Sequence, residues 1–148
     1  MTLDITFKLA TFAAVFATLF AAHSFGDHWV QSHRQACGKG APGPAGRVWC
    51  ARHVVGLTIT KLVALLAVTF VTGLYIHPAW LAAGMGVDAA SHYWADRRTT
   101  LQALANRLGK ADFYKLGEGH LGSGAYALDQ SWHVTWLFIA SLIMTGGA

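Results

Sequence analysis

HVVGLTITKLVALLAVTFVTGLYI, residues 53–76, decides the fold class. Lys61 is the only Lys, Arg, Asp or Glu in it. Its Val, Ile and Thr content would suit a strand. An unbroken run of this length without turn signals reads as a helix, and about 20 apolar residues cross about 30 Å of hydrocarbon. Three further runs flank it. Ile5–Phe25 is interrupted only by Lys8 and His23. Ala79–Asp96 follows a short turn at Tyr75–Pro78, and Tyr126–Thr145 is the last. The first run exceeds the h-region of a secretory signal, so it reads as a retained helix. The expectation is one all-α domain over residues 1–148, a polytopic membrane protein of four transmembrane helices (about 5–25, 53–76, 79–96 and 126–145) in a bundle.

Composition agrees. The 148 residues are 54% hydrophobic and only 12% charged, against about 25% in soluble domains, and the mean hydropathy is +0.39. The net charge of +4 could suggest nucleic acid. Its cations instead flank the apolar runs, the pattern of membrane topology, so a lipid bilayer is the expected partner and nucleic acid is not. Oligomeric state is not legible.

Between the first two runs, Arg34–Val48 contains GKGAPGPAG (residues 38–46) and reads as a loop without regular structure. In Arg97–Ala125, Leu101, Leu104 and Leu108 recur near Arg107 and Lys110. This reads either as an amphipathic helix in the interface or as a solvated connector. GEGHLGSG (residues 117–124) reads as a flexible loop. The small residues of Ala82–Gly86 suit close helix approach. Arg34, Lys39, Arg47, Arg52, Arg97, Arg98, Arg107, Lys110 and Lys115 all fall on one face. Both connections are therefore expected in the cytoplasm and both termini outside. Cys37 and Cys50 would remain thiols there. Trp29, Trp49, Trp94, Trp132 and Trp136 near that face read chiefly as an aromatic belt.

The polar residues carry the chemistry. The first helix ends in His23-Ser-Phe-Gly-Asp27, the third in His92-Tyr-Trp-Ala-Asp96, and the fourth begins Asp129-Gln-Ser-Trp-His133. A spacing of four puts each His and Asp on one helical face. The order reverses in the fourth helix, which runs the other way. Asp27, Asp96 and Asp129 therefore share one rung, and His23, His92 and His133 lie about 6 Å deeper. His53 enters from the second helix at that level. Imidazole and carboxylate are ligands for zinc, iron or manganese. Ligands projecting inward from four helices are how bundles hold one or two divalent ions. A metal-free His–Asp hydrogen-bond network would satisfy the same groups. His28, His33, His77 and His120 read as interfacial or loop residues, His28 at most as an outer group. Lys61 and Asp88 lie at similar depth and are expected to pair as a structural ion pair.

His23-x3-Asp27 with Gln31, then His53, His92-x3-Asp96 and Asp129-Gln130-x2-His133, together resemble domain-of-unknown-function family 3307, small bacterial and phage membrane proteins. They are similar, more loosely, to membrane-bound metal-dependent hydrolases related to zinc phospholipases. The resemblance covers most of the chain and implies metal ligation by His23, Asp27, His53, His92, Asp96, Asp129 and His133, at the bacterial inner membrane. The Gly/Pro loop with two cysteines and the extended connector depart from it. The functional expectation is a metal-dependent hydrolase, with zinc foremost, acting on a phosphoester or lipid headgroup at the cytoplasmic face. Asp27, Asp96 and Asp129 are the catalytic carboxylates. The alternatives are a non-catalytic metal carrier or sensor and a structural or partner-binding protein. A di-iron oxygenase is disfavoured because no Glu-x-x-His occurs, and no Ser or Cys nucleophile has a recognisable setting.

Overall fold

The computed structural model describes residues 2–120 and 122–146, and every regular element among them is helical. Helix α1, Thr2–Phe25, runs on into a π-helical turn, Gly26–Val30, where the Gln31 N–H donates to Gly26 O at 3.0 Å. The wider turn changes the angle at which Asp27 leaves the helix. It occurs where a Cβ on Gly26 would meet Leu57 Cδ1 at 2.4 Å.

The expectation of an irregular loop over 34–48 is corrected. Helix α2 spans His33–Gly38, and α3 starts at Gly43 and runs to Thr72. A capping box starts α2: the Ser32 hydroxyl accepts from the Gln35 N–H (3.3 Å) and the Gln35 carboxamide accepts from the Ser32 N–H (2.8 Å). Pro44 falls in the first turn of α3, where its missing N–H has no partner to lose. Only residues 39–42 remain as the connection. Helix α3 also ends earlier than expected. Gly73 adopts φ 72° as a left-handed cap and its N–H bonds Thr69 O, leaving residues 74–77 extended before α4, Pro78–Asp96.

Helix α5, Thr99–Arg107, gives the Leu repeat the helical form of one of its two readings. Leu101 and Ala105 are buried, whereas Leu108 is 66% exposed. A short α6, Ala111–Lys115, and α7, Gly124–Thr145, complete the chain. Within 117–124, Gly117, Gly119 and Gly122 have positive φ, and Leu121 lies outside the described residues.

Helix α1 packs on α3 and α7, and α4 packs on α3 and α7, so the four long helices close a ring. Helices α2, α5 and α6 lie against α3, α4 and α7 respectively. Val15, Leu19, Leu65, Met85, Leu137, Ala140 and Met144 fill one end. There a Cβ on Gly84 would meet Met144 Cγ at 2.6 Å, so the small residue does permit close approach of α4 and α7.

The usual polarity of a soluble protein is inverted. Lys61, Asp88, Asp96, His23, His53, His92 and His133 are buried, while Phe70 (91%), Val71 (80%) and Trp29 (80%) are exposed. Two segments, Ile5–Val30 and Gly43–Thr72, are long and apolar enough to cross a membrane. Only 28% and 22% of their apolar windows is buried, unlike the core helix of a soluble domain. Two of the tryptophans have roles within the fold: Trp132 stacks on Trp94 at 4.6 Å, and its indole N–H donates to Ser91 O at 3.3 Å.

Candidate metal centre

Each long helix contributes to one cluster, α1 and α4 from their C-terminal turns, α3 and α7 from their N-terminal halves. His23, His53, His92, His133 and Asp96 are all at most 2% exposed. The rings form a continuous group: His92 stacks on His133 at 3.9 Å, and His23 lies 5.3 Å and 5.1 Å from them.

The ligand atoms converge. His53 Nε2 is 3.1 Å from His92 Nε2, 3.1 Å from Asp27 Oδ1 and 3.3 Å from Asp96 Oδ2. His92 Nε2 is 3.1 Å from Asp96 Oδ2. A tetrahedral ion with ligands at about 2.0–2.1 Å has ligand–ligand edges of about 3.3 Å. The contacts of Asp96 lack hydrogen-bond alignment: both its oxygens are buried without a hydrogen bond, as are both His23 nitrogens, His92 Nδ1 and His133 Nε2. His53 is hydrogen-bonded, to His92 Nε2 and to the Gln31 carboxamide, so the unpartnered atoms that suit an ion are those of Asp96, His23, His92 Nδ1 and His133 Nε2. The groups Asp27–His53–His92 and His92–Asp96–His133 could each hold a metal ion. Asp96 turns Oδ2 toward the first. Its Oδ1 faces the second, 3.8 Å from His133 Nε2, and Asp129 Oδ1 is 3.4 Å from the same nitrogen. Either group of three could hold an ion, and the two share His92.

His23 lies against the rings but outside both groups, and Asp129 stands at the edge, its side chain 23% exposed. The remaining histidines fall outside, as the sequence suggested. His77 caps α4 through the Ala79 N–H (3.2 Å), His33 lies 3.5 Å from Cys37 Sγ, and His28 contacts the Tyr126 hydroxyl at 3.1 Å. Both cysteines are free, Cys37 exposed and Cys50 buried.

Lys39 was not read as a site residue. Its Nζ lies 2.9 Å from Asp96 Oδ1 and 3.4 Å from Asp27 Oδ1. Burial pushes this ammonium down, yet Asp96 and Asp27 outweigh that and hold its pKa above the ordinary lysine range. Arg97 pins the loop over the cluster by donating to Lys39 O (2.5 Å) and Ala41 O (2.6 Å). The one available signal was a lysine between two glycines, Gly38 and Gly40, where the backbone can fold tightly. Gln31 and Gln130 steady Asp27 with hydrogen bonds at 3.1 and 3.3 Å.

Above the carboxylates opens a cleft of about 610 Å³, lined by Asp27, Asp96 and Asp129 below and by Lys39, Arg98 and Tyr114 around its sides. Burial raises the Tyr114 pKa, against the lowering effect of Arg98. Below the histidines, Lys61 Nζ and Asp88 Oδ2 pair at 2.6 Å, both buried, as expected.

No family model, curated protein or solved structure matches this chain.

Proposed function

We propose that the chain is a membrane-embedded, metal-dependent hydrolase of phosphoesters, its four long helices all spanning the bilayer with the cleft at the cytoplasmic face. The observation that carries this is the convergence of Asp27, His53, His92, Asp96 and His133 at ligand spacing directly beneath an open cleft. Charge supports it. Asp27 and Asp96 share one ammonium, Lys39, within ion-pair distance, and a divalent ion would add cationic charge to a site where buried carboxylates are costly. Zinc fits the nitrogen-rich donor set best, with iron or manganese as the alternatives.

The apolar exteriors of α1 and α3 support the membrane reading. Helix α4 has 19 residues and α7 has 22, about 28 and 33 Å by the helical rise. Their polar residues turn inward to the cluster, which lets them span beside the other two. The resemblance to family 3307 is consistent with this arrangement.

A bound divalent ion would supply Lewis acidity toward a water and a phosphoryl oxygen. The chain's own residues supply the rest. Asp129, partly exposed on the cleft floor, takes a proton from water as general base. Lys39 and Arg98 orient the anionic ester. Gln31 and Gln130 hold Asp27 in place.

The test is elemental analysis of detergent-purified protein, followed by phosphate release from a generic phosphoester with wild type and Asp129→Asn. The reading expects zinc, iron or manganese to co-purify, and expects turnover that Asp129→Asn removes while metal is retained. Absence of metal after reconstitution overturns it. A second reading rests on Lys39: an ammonium already lodged between Asp27 and Asp96 could serve as the resident cation of a metal-free structural network. That reading predicts that Lys39→Met destabilises the protein without any gain in metal binding.

A further inference from the structure

A second cavity of about 360 Å³ runs between α5 and α7. Leu101, Leu104 and Leu108 of α5 face Trp132, Trp136 and Ile139 of α7 across it. The polar groups among its lining are largely spent within the fold. The Thr135 hydroxyl donates to Ser131 O at 2.9 Å, and the Trp132 indole N–H donates to Ser91 O. Among the described residues only Lys110 brings a charge to it. The groove thus offers surface to an apolar ligand and almost no hydrogen bonds.

Its position relates it to the metal cluster. Leu101 lines both this groove and the cleft over the carboxylates. On α7 the cleft ends at Asp129 and Gln130, while the groove extends from Leu128 to Ile139. That distance is about 16 Å along the helix, directed away from the carboxylates and parallel to the bundle axis. Beside its carboxylates the cleft also carries cations. Arg98 sits at the α4–α5 reversal with φ 58°, a conformation that non-glycine residues adopt only at a cost. Its guanidinium donates to Ala36 O at 2.9 Å, which ties that reversal to α2 beside the cleft. Lys39 and Lys115 add two more cations to the lining.

We infer that the ligand of this site is an amphiphile: a lipid phosphoester whose phosphate occupies the cleft and whose acyl chain crosses Leu101 into the α5–α7 groove. The inference rests on the cleft being the substrate site of the proposed hydrolase, and it names the substrate class. A chain lying along α7 would run in the direction of the acyl chains of the surrounding leaflet. A lipid could therefore enter sideways, without leaving the bilayer.

The test compares binding of two probes to wild-type protein in phosphatidylcholine nanodiscs, with empty nanodiscs subtracted. Glycerol 3-phosphate carries the headgroup alone, and palmitoyl lysophosphatidate carries headgroup and chain. Thr135→Trp and Ser131→Leu fill the groove from exposed positions, where the fold tolerates them, and metal content is measured on the same samples. Wild type should bind the lysolipid at least about tenfold more tightly than the chainless probe, from burial of methylenes. Both variants should lose most of that gain while their glycerol 3-phosphate binding stays unchanged. A gain that both variants retain means the chain merely partitions into the bilayer, and overturns the groove assignment. Binding of glycerol 3-phosphate with no gain from the chain also overturns it, and leaves the phosphoester reading intact. If neither probe binds a metal-loaded protein, the groove and the substrate reading fall together.

Discussion

Replacing Asp96 by Asn tests the centre most directly, because one carboxylate joins everything in it. Asp96 lies 2.9 Å from Lys39 Nζ, 3.1 Å from His92 Nε2 and 3.3 Å from His53 Nε2. Asn keeps the volume and removes the charge, so packing is nearly constant and the change is electrostatic. Two effects follow. Metal affinity loses the anionic ligand of the His92–Asp96–His133 group, whose other oxygen lies 3.3 Å from His53 of the first. Outer-shell changes already cost about 10–100-fold, so the loss here should reach at least about 100-fold. Stability also falls, because Lys39 keeps only Asp27 at 3.4 Å. Removing one partner of a buried pair costs about 3–5 kcal/mol, and the surviving contact puts this case near the lower end. The assay is elemental analysis of detergent-purified wild type and variant, with thermal unfolding with and without added zinc. Wild type should carry metal and gain stability from zinc; the variant should do neither. Adding Lys39→Met to the variant should recover part of the lost stability, since the stranded ammonium is then gone. A variant that holds metal as wild type does, with unchanged zinc-dependent stabilisation, refutes the ligand role of Asp96.

Four further outcomes are expected. Lys39→Met alone should raise zinc affinity by about tenfold or more, because a cation competing for Asp27 and Asp96 is removed; titration against a chelator reads this. Lys61→Met should destabilise by about 3–5 kcal/mol by stranding Asp88, and Lys61→Met with Asp88→Leu should be close to wild type; metal content should not change in either, as measured on the unfolding samples. Gly84→Val should cost about 1–3 kcal/mol through overpacking against Met144 and Ala140, visible as a lowered Tm. A membrane-impermeant thiol reagent should label exposed Cys37 from the cytoplasmic side and leave buried Cys50 unlabelled until unfolding; labelling of Cys37 from outside reverses the proposed orientation.

The sequence by itself determined the helical class, because apolar runs of this length without turn signals are too long for single strands. It also determined which polar residues share a rung. His92 and Asp96, and Asp129 and His133, are local pairs whose shared face is a property of the α-helix, whereas His23 and Asp27 span the junction with the π-helical turn Gly26–Val30. Pairing of Lys61 with Asp88 followed from the same counting. Other features escaped it. GKGAPGPAG looked irregular because glycine and proline dominate it, yet Pro44 suits the first turn of α3 and Ser32 with Gln35 caps α2. Over Arg97–Ala125 the sequence left an interfacial helix and a solvated connector both open, and only packing on α4 shows that α5 buries Leu101 and Ala105 and leaves Leu108 exposed. Only the tertiary structure could bring Lys39 to Asp27 and Asp96, since the contact spans separate elements and depends on Arg97 holding a loop from another helix. It alone decided that His23 stands outside the two donor groups while His92 belongs to both. Helical periodicity specifies direction around one axis, whereas convergence to within about 3 Å depends on the packing of four axes together.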